Sequence, residues 1–518
     1  MEITFLGHAG FCVETPEAIV IMDPWLSPTG AFDSAWFQFP QNHHLAAMVQ
    51  EKLDHSNKER FIYISHEHQD HFDLPFLQSL QNRDFTLVIP KFKRTALVKK
   101  LSDYTCKKRI ACEDGTKIPI PGGEITLYLD DTEMSRDSAI LIKSGGTAFF
   151  NMNDCKLHDK LPAIVRAEGP IDIFTAQYSG AIWHPTCYDY PIEVYRSISN
   201  KKMNSKFEAV ARAIEIIHPR CYLTSAGPCC FLDPQLYHLN FERVNIFPHA
   251  PKFLRFLRKR LTTSTSCLEP MPGDVLDAKT GEFIFLSKER VTERNCSSYI
   301  RKYASLYESF FLERQKQYSE EELREFLERL KQVLLTKLRL LTVHSQVKVP
   351  LYFRLSDIPE HILKVNFAKT TVELTNSIDE ADFYSISAPS REMERVLNGK
   401  MTWDEFSLTF RMRLNRDPDV FQVVIHGFLL MQPEDMNRFC EKVLGLEANR
   451  ERALIEANGC KYSVNRYCPH QGADLTQGWI QDGKYLVCAR HRWQFDLTNG
   501  GVCKMNNTTI DAFLVEEE

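Results

Sequence analysis

The chain has no apolar run approaching the roughly 18 residues that a membrane-spanning helix needs, so none is expected. Its N-terminus, MEITFLGHAGFCVE, lacks a basic segment followed by an apolar block; it alternates like a strand and does not read as a signal peptide. Charge of one sign is not in excess either. With 63 Lys and Arg against 68 Asp and Glu, the net charge of -5 excludes a general pull toward nucleic acid or anionic membrane. No Walker or dinucleotide-binding glycine motif is present. The fifteen cysteines form no disulfide framework and, without an export signal, are expected to be reduced thiols in a cytoplasmic protein. The remaining composition, 43% hydrophobic and 25% charged over 518 residues, is that of a folded chain. It is too long for one core, and roughly two to four domains are expected.

Near the C-terminus, Cys468-Pro469-His470 and Cys488-Ala489-Arg490-His491 make a C-x-H pair and a C-x-x-H pair, separated by positions 471 to 487. Two thiolates and two imidazoles on two short loops are the donors of a Rieske-type 2Fe-2S centre, with cysteines on one iron and histidines on the other. Pro469 stiffens the first loop, Gly472 relaxes the turn after it, and Tyr485-Leu486-Val487 reads as a strand leading to Cys488. A structural zinc knuckle would use the same side chains. Against it, His491-Arg492-Trp493-Gln494-Phe495-Asp496 resembles the H-G-W-x-F/Y-D run of Rieske ferredoxins and oxygenases, with Arg492 in place of the usual glycine. The extra loop cysteines of respiratory Rieske proteins are missing, which implies the soluble, lower-potential branch. Asp474 and Tyr467 lie near enough in sequence to tune the cluster.

At the other end, short strands are expected at Ile3 to Gly7, Ala18 to Met22 and Phe61 to Ser65. The last runs into His66-Glu67-His68-Gln69-Asp70-His71, an H-x-H-x-D-H string. His66 and His68 fall on one side of an extended backbone, and Asp70 and His71 come round on the following turn, so four ligand-type side chains converge. The string resembles the signature of the metallo-β-lactamase superfamily, and FLGHAGFCVE with VIMDPWLSP resembles its ascorbate-phosphate lactonase branch. The resemblance implies Asp154 as a bridging aspartate. It also calls for a histidine before Asp137 and another in the strand Cys221 to Gly227, and this sequence has neither. What is left is His66, His68, Asp70, His71 and Asp154, with Glu133 or His184 as possible additions. This hard nitrogen and oxygen set suits one or two non-haem iron ions as readily as zinc. His8 and Asp23 are expected beside the metal as hydrogen-bond partners of its ligands, and Trp183-His184-Pro185 in the substrate pocket or as a ligand.

Between these ends, Phe253 to Leu261 is basic and amphipathic, residues 262 to 282 read as a polar connector, and Ser319-Glu320-Glu321-Glu322 caps a long helix. Leu323, Phe326, Leu327, Leu330, Val333 and Leu334 mark that helix's apolar face. Residues 348 to 388 alternate like strands, and Met401 to Phe406 opens another helix. The expected fold is a multidomain α/β and β protein. Residues 1–255 form a metallo-β-lactamase-like αββα sandwich, 256–440 a helical connector with an α+β domain, and 441–518 a Rieske β-sandwich domain.

The run NGKMTWDEFSLTFRMRLNRDPDVF, with DPWLSP, IYISHEHQDHFDLPFL, FNMNDC and PRCYLTSAG, is similar in order and spacing to the CMP-N-acetylneuraminate hydroxylase family. That family combines both domain types and hydroxylates a nucleotide-linked sugar; in it the Rieske domain comes first, whereas here it comes last. The implied function is an iron-dependent monooxygenase acting with O2 on a small polar substrate, a nucleotide sugar or an amine or amide compound. Its electrons would come from an external ferredoxin, cytochrome or reductase, with no nucleic acid or membrane partner. The alternative is a zinc hydrolase with a redox-sensing Rieske module. Only some 27 residues follow His491, too few for a further catalytic domain, so any oxygen chemistry must use the metal at His66 to His71.

Overall fold

A computed structural model describes the chain apart from residues 133–134, 316–317, 448–449, 506–507 and 516–518, and apart from the side chains of 446–447. It divides into two units. The first comprises 1–131, 135–181 and 196–312; the second comprises 132–134, 182–195 and 313–518.

The first unit is built on two sheets. One has eight strands in the order Glu282–Phe285, Val275–Asp277, Glu2–Gly7, Gly10–Glu14, Ala18–Met22, Glu59–Tyr63, Thr86–Pro90, Lys108–Cys112. The other has seven, in the order Ser266–Leu268, Cys221–Ser225, Ile173–Gln177, Thr147–Asn151, Arg136–Ser144, Gly123–Asp131, Lys117–Ile120. Alternation along each strand divides its side chains between two apolar layers. Ala18, Val20 and Met22 face the layer between the sheets, with Phe149 and Ile173 of the opposite sheet. Ile19 and Ile21 face the other way, against Leu45, Val49 and Leu53 of the helix Leu45–His55. On the outer face of the second sheet, Phe207 and Ile214 of the helix Ile192–Ile217, and Phe253 and Leu257 of Ala250–Arg260, cover Phe150, Phe174 and Tyr222. The result is the expected αββα sandwich.

Residues 262 to 282 are not the connector their composition suggested. They supply Ser266–Leu268, Val275–Asp277 and the start of Glu282–Phe285, paired to Cys221–Ser225, to Glu2–Gly7 and to each other. Such short strands exist because of the neighbours they pair with, which local composition does not record.

In the second unit, five strands in the order Thr371–Thr375, Ile362–Asn366, Leu351–Leu355, Phe383–Ala388, Arg413–Asp417 form a mixed sheet. The helix Glu320–Leu340 starts at a capping box in which the Ser319 hydroxyl accepts from the Glu322 N–H and the Glu322 carboxylate accepts from the Ser319 N–H. Phe326, Leu327, Leu330 and Leu334 are buried as expected, whereas Val333 is 37% exposed. The C-terminal part carries two small sheets, Arg452–Ala457 with Cys460–Asn465 and Phe513–Leu514, and Trp479–Gln481 with Tyr485–Val487, Gln494–Asp496 and Val502–Cys503. No helix among the described residues is long and apolar enough to cross a membrane. All fifteen cysteines are free.

The buried stripe of Glu320–Leu340 continues one turn further through Lys337, which is 2% exposed. Its Nζ lies 4.7 Å from the Trp403 ring centroid and 5.3 Å from that of Phe428, with no hydrogen-bond partner. Burial pushes this amine down to about 7 from its ordinary 10.5. Between those two values the unfolded chain holds the proton more tightly than the folded one. The stability cost of Lys337 is therefore full below about pH 7 and fades as pH rises toward 10.5. We predict that Lys337→Met stabilises the domain by on the order of 4 kcal/mol at pH 7 in urea unfolding, with the gap closing by pH 10. A gap independent of pH would contradict this.

Candidate metal centres

The strand Glu59–Tyr63 ends at the edge of its sheet, and the chain leaves it through the H-x-H-x-D-H string. His66, Asp70 and His71 are buried and His68 is half-buried. His66 Nε2 lies 2.9 Å from His68 Nδ1. His71 Nε2 lies 3.7 Å from Asp70 Oδ2 and 3.6 Å from Asp154 Oδ1. Two donor groups result, His66 with His71 and Asp154, and His8 with Asp70 and His71, each with ligand atoms within 4.8 Å of one another. Asp154, three residues beyond the strand Thr147–Asn151, is placed by Asn153, whose amide oxygen accepts from the Asp154 N–H while its amide nitrogen donates to Ser138 O at 2.9 Å.

Three of the histidines, His71, His8 and His66, each lie beside a carboxylate. His71 Nδ1 lies 2.8 Å from Asp23 Oδ2, which leaves Nε2 as its lone-pair nitrogen. Asp23 is itself fixed by the Ser65 N–H at 2.8 Å and the Ser65 hydroxyl at 2.6 Å. His8 Nε2 sits 3.1 Å from Asp70 Oδ2. His66 Nδ1 is 3.1 Å from Asp137 Oδ1. His8 (φ 51), Asp23 (φ 40) and Asn153 (φ 38) all take left-handed backbone, a strain of order 1 kcal/mol each that such hydrogen bonds hold in place.

The centre is short of positive charge. Burial works against a charged His71, yet the Asp70 and Asp154 carboxylates push its imidazole well above the ordinary histidine range. Burial would raise Asp154, and the His71 imidazolium holds it below the usual carboxylate range. Burial drives His66 well down, helped by His71 and His68, and pushes Asp137 up to about 6. A proton on His71 thus occupies the place of a cation. The buried Nε2 of His71 and Oδ1 of Asp154 have no hydrogen-bond partner, which is what a bound metal would satisfy. The donor set fits iron or zinc.

Asp137 went unassigned in the sequence because it stands at the start of the strand Arg136–Ser144 with no motif around it. Its position after the missing histidine was the available signal. Glu133 lies outside the described residues. His184 is not in either donor group: Nε2 is 3.1 Å from the Tyr190 hydroxyl, and Trp183 packs 5.3 Å from His426, all within the second unit.

The second centre is formed by two matching loops. In one, the Gly472 N–H donates to Cys468 O at 2.8 Å; in the other, the Arg492 N–H donates to Cys488 O at 2.9 Å. Both closing residues are left-handed, Gly472 at φ 70 and Arg492 at φ 61, and only the glycine takes this without strain. Cys468 and Cys488 are fully buried, and burial together with a hydrogen bond to Cys488 pushes the Cys468 thiol well up. The His470 and His491 rings lie 4.6 Å apart, and Trp493 stacks on His470 at 4.3 Å. His470 is buried and His491 only half-buried. Thr132 donates to the Gln471 side chain beside it. Two thiols in contact and two imidazole rings side by side are the donors a 2Fe-2S cluster of the Rieske type takes. Asp474 caps the turn Leu475–Gln477 and pairs with Arg466 at 2.8 Å, and Arg466 also covers the Tyr467 ring.

The comparisons agree with this division. Residues 429–513 match the Rieske [2Fe-2S] domain, and residues 2–127 match the β-lactamase superfamily domain. A Mycolicibacterium smegmatis protein named for a Rieske 2Fe-2S iron-sulfur centre is 27% identical over 96% of this chain and 97% of its own length. The cytidine monophosphate-N-acetylneuraminic acid hydroxylase of Danio rerio is 19% identical over 81% of this chain and 70% of its own. The solved structure of CmlA, a diiron β-hydroxylase from Streptomyces venezuelae, is 14% identical, covering 52% of both chains at a TM-score of 0.34. The chain joins an N-terminal metallo-β-lactamase-fold domain to a C-terminal Rieske [2Fe-2S] domain, and the cytidine monophosphate-N-acetylneuraminic acid hydroxylases are among its homologues.

Proposed function

We propose that this chain is a Rieske-coupled non-haem iron monooxygenase that hydroxylates a small polar substrate. The observation that carries the reading is the presence in one chain of two donor sets of different hardness. One is the sulfur and nitrogen set Cys468, His470, Cys488, His491; the other is the nitrogen and oxygen set His66, Asp70, His71, Asp154, with His68 in neither donor group but 2.9 Å from His66 Nε2. A single-electron carrier and an open-site metal are complementary parts of an oxygenase, and a hydrolase would leave the first idle. The hydroxylase relatives support the reading.

Bound iron supplies dioxygen activation at its open positions, and the cluster supplies single electrons from an external donor. The chain's own residues set the conditions. Asp23 keeps the His71 Nε2 lone pair directed at the centre, the Ser65 hydroxyl contacts His66 Nδ1 at 3.0 Å with Asp137 beside it, and His8 anchors Asp70. Burial of these groups keeps bulk water from the reacting volume. His470, under Trp493, is the inward histidine of the cluster, and His491 is the one nearer solvent for an incoming donor.

Metal analysis with EPR on anaerobically purified, dithionite-reduced protein tests this. A Rieske signal lost only in His470→Ala, with a separate iron lost only in His68→Ala, is expected. Zinc filling the His68 site under iron-replete expression would sink the proposal.

Two further outcomes follow from the carboxylate–imidazole pairs. Asp23→Asn should weaken iron(II) binding at the N-terminal site by roughly 10–100-fold in chelator competition, with the cluster spectrum unchanged. Since metal must displace the proton that Asp70 and Asp154 hold on His71, iron(II) affinity should rise with pH across neutrality, about tenfold per unit for one proton released. An affinity flat between pH 6 and 8 would contradict the assignment of His71.

A further inference from the structure

His8 lines a cavity within the first unit. It belongs to the same neighbourhood as the metal centre, because His8 lines it while its Nε2 contacts Asp70 at 3.1 Å. Phe5, Phe39 and Tyr178 are among its lining residues, and His8, Tyr178, His249 and Glu269 are its titratable groups. The space is about 40 Å³, roughly the room of two or three water molecules. It takes a head group, with the rest of a ligand outside it.

The charge inventory is one-sided. No lysine or arginine lines the cavity. Arg290, the cation that acts on Glu269, is engaged with Asp274 at 2.6 and 2.8 Å. Burial pushes the Glu269 carboxyl up to about 7 and the His249 imidazole down to about 4. At neutral pH the cavity therefore contains a carboxyl whose neighbouring cation, Arg290, is committed to Asp274, a neutral imidazole and an aromatic lining. A phosphate or carboxylate entering it would meet no positive charge and would lose its hydration uncompensated. An ammonium group would meet the Glu269 carboxyl and an aromatic lining.

Resting on the monooxygenase reading of the neighbouring metal centre, we propose that this cavity seats the ammonium head of an amine substrate. Glu269 is its counter-ion, and Phe5, Phe39 and Tyr178 are its aromatic lining. His249 accepts one ammonium hydrogen bond. Binding draws the Glu269 carboxyl into its ionised form. The substrate class that follows is a small primary amine, in contrast to the cytidine monophosphate-N-acetylneuraminic acid for which the Danio rerio hydroxylase is named.

Isothermal titration of the iron-loaded holoprotein with n-butylammonium, n-butyrate, n-butanol and cytidine 5′-monophosphate tests it. Saturable binding of n-butylammonium alone is expected, weakened at least about tenfold by Glu269→Gln. At pH 6 that binding should release a proton, read from buffers of different ionisation enthalpy, and Glu269→Gln should abolish the release. His249→Gln, the second variant, should weaken binding yet keep the proton release. Absence of saturable amine binding, preference for butyrate or cytidine monophosphate, or affinity indifferent to both variants would overturn the assignment. Both variants should retain the iron and Rieske EPR signals, so a failed head-group site is distinguishable from a failed oxygenase. Zinc in place of iron would leave amine binding intact while removing the oxygenase reading.

Discussion

Buried negative charge around the His71 imidazole is the constraint on which the first unit depends. Asp70 and Asp154 flank its Nε2 at under 4 Å, and Asp23 holds its Nδ1. Carboxylates removed from water are stabilised only by a cation or by hydrogen bonds. The fold provides both options, a proton on His71 or a metal in its place. It also accepts left-handed backbone at His8, Asp23 and Asn153 to bring these groups to one point. That combination of strain and unneutralised charge is what a binding site costs a fold.

The sandwich explains why such a point can exist. Central strands buried on both faces fix the ends of Glu59–Tyr63 and Thr147–Asn151, and the ligand-bearing turns project beyond them. In the C-terminal part the same logic is carried by much smaller sheets. Tyr485–Val487 delivers Cys488 directly into its loop, and the pairing of Val487 with Gln494 brings the chain back just beyond His491. Two rigid frames thus hold two chemically different donor sets, one soft and one hard.

The two motifs were legible because their chemistry is compressed into short sequence. Four donors in six residues, or C-x-H and C-x-x-H, leave few alternative uses. Asp137 was legible only as the residue that follows the missing histidine; that it lies against His66 is decided by folding. The strands at 266 to 285 were missed because their pairing partners lie tens to hundreds of positions away. Lys337 sits on an apolar stripe that periodicity would assign to leucine, and Val333, assigned to that stripe, lies at its rim. The cavity of His249 and Glu269 draws its lining from Phe5 to Val291, a convergence that no local pattern encodes.

In a Rieske-coupled oxygenase, reducing equivalents stored on the Cys468, His470, Cys488, His491 cluster are used at the His66 to His71 centre. Stopped-flow absorbance of the cluster tests it most directly, with reduced protein mixed with oxygenated buffer after loading the N-terminal site with iron or with zinc. The account predicts rapid cluster reoxidation in the iron form, and slow reoxidation in both the zinc form and iron-loaded His68→Ala. Equal rates in all three would show that the cluster gives its electron to oxygen without the N-terminal metal, and would contradict the claim.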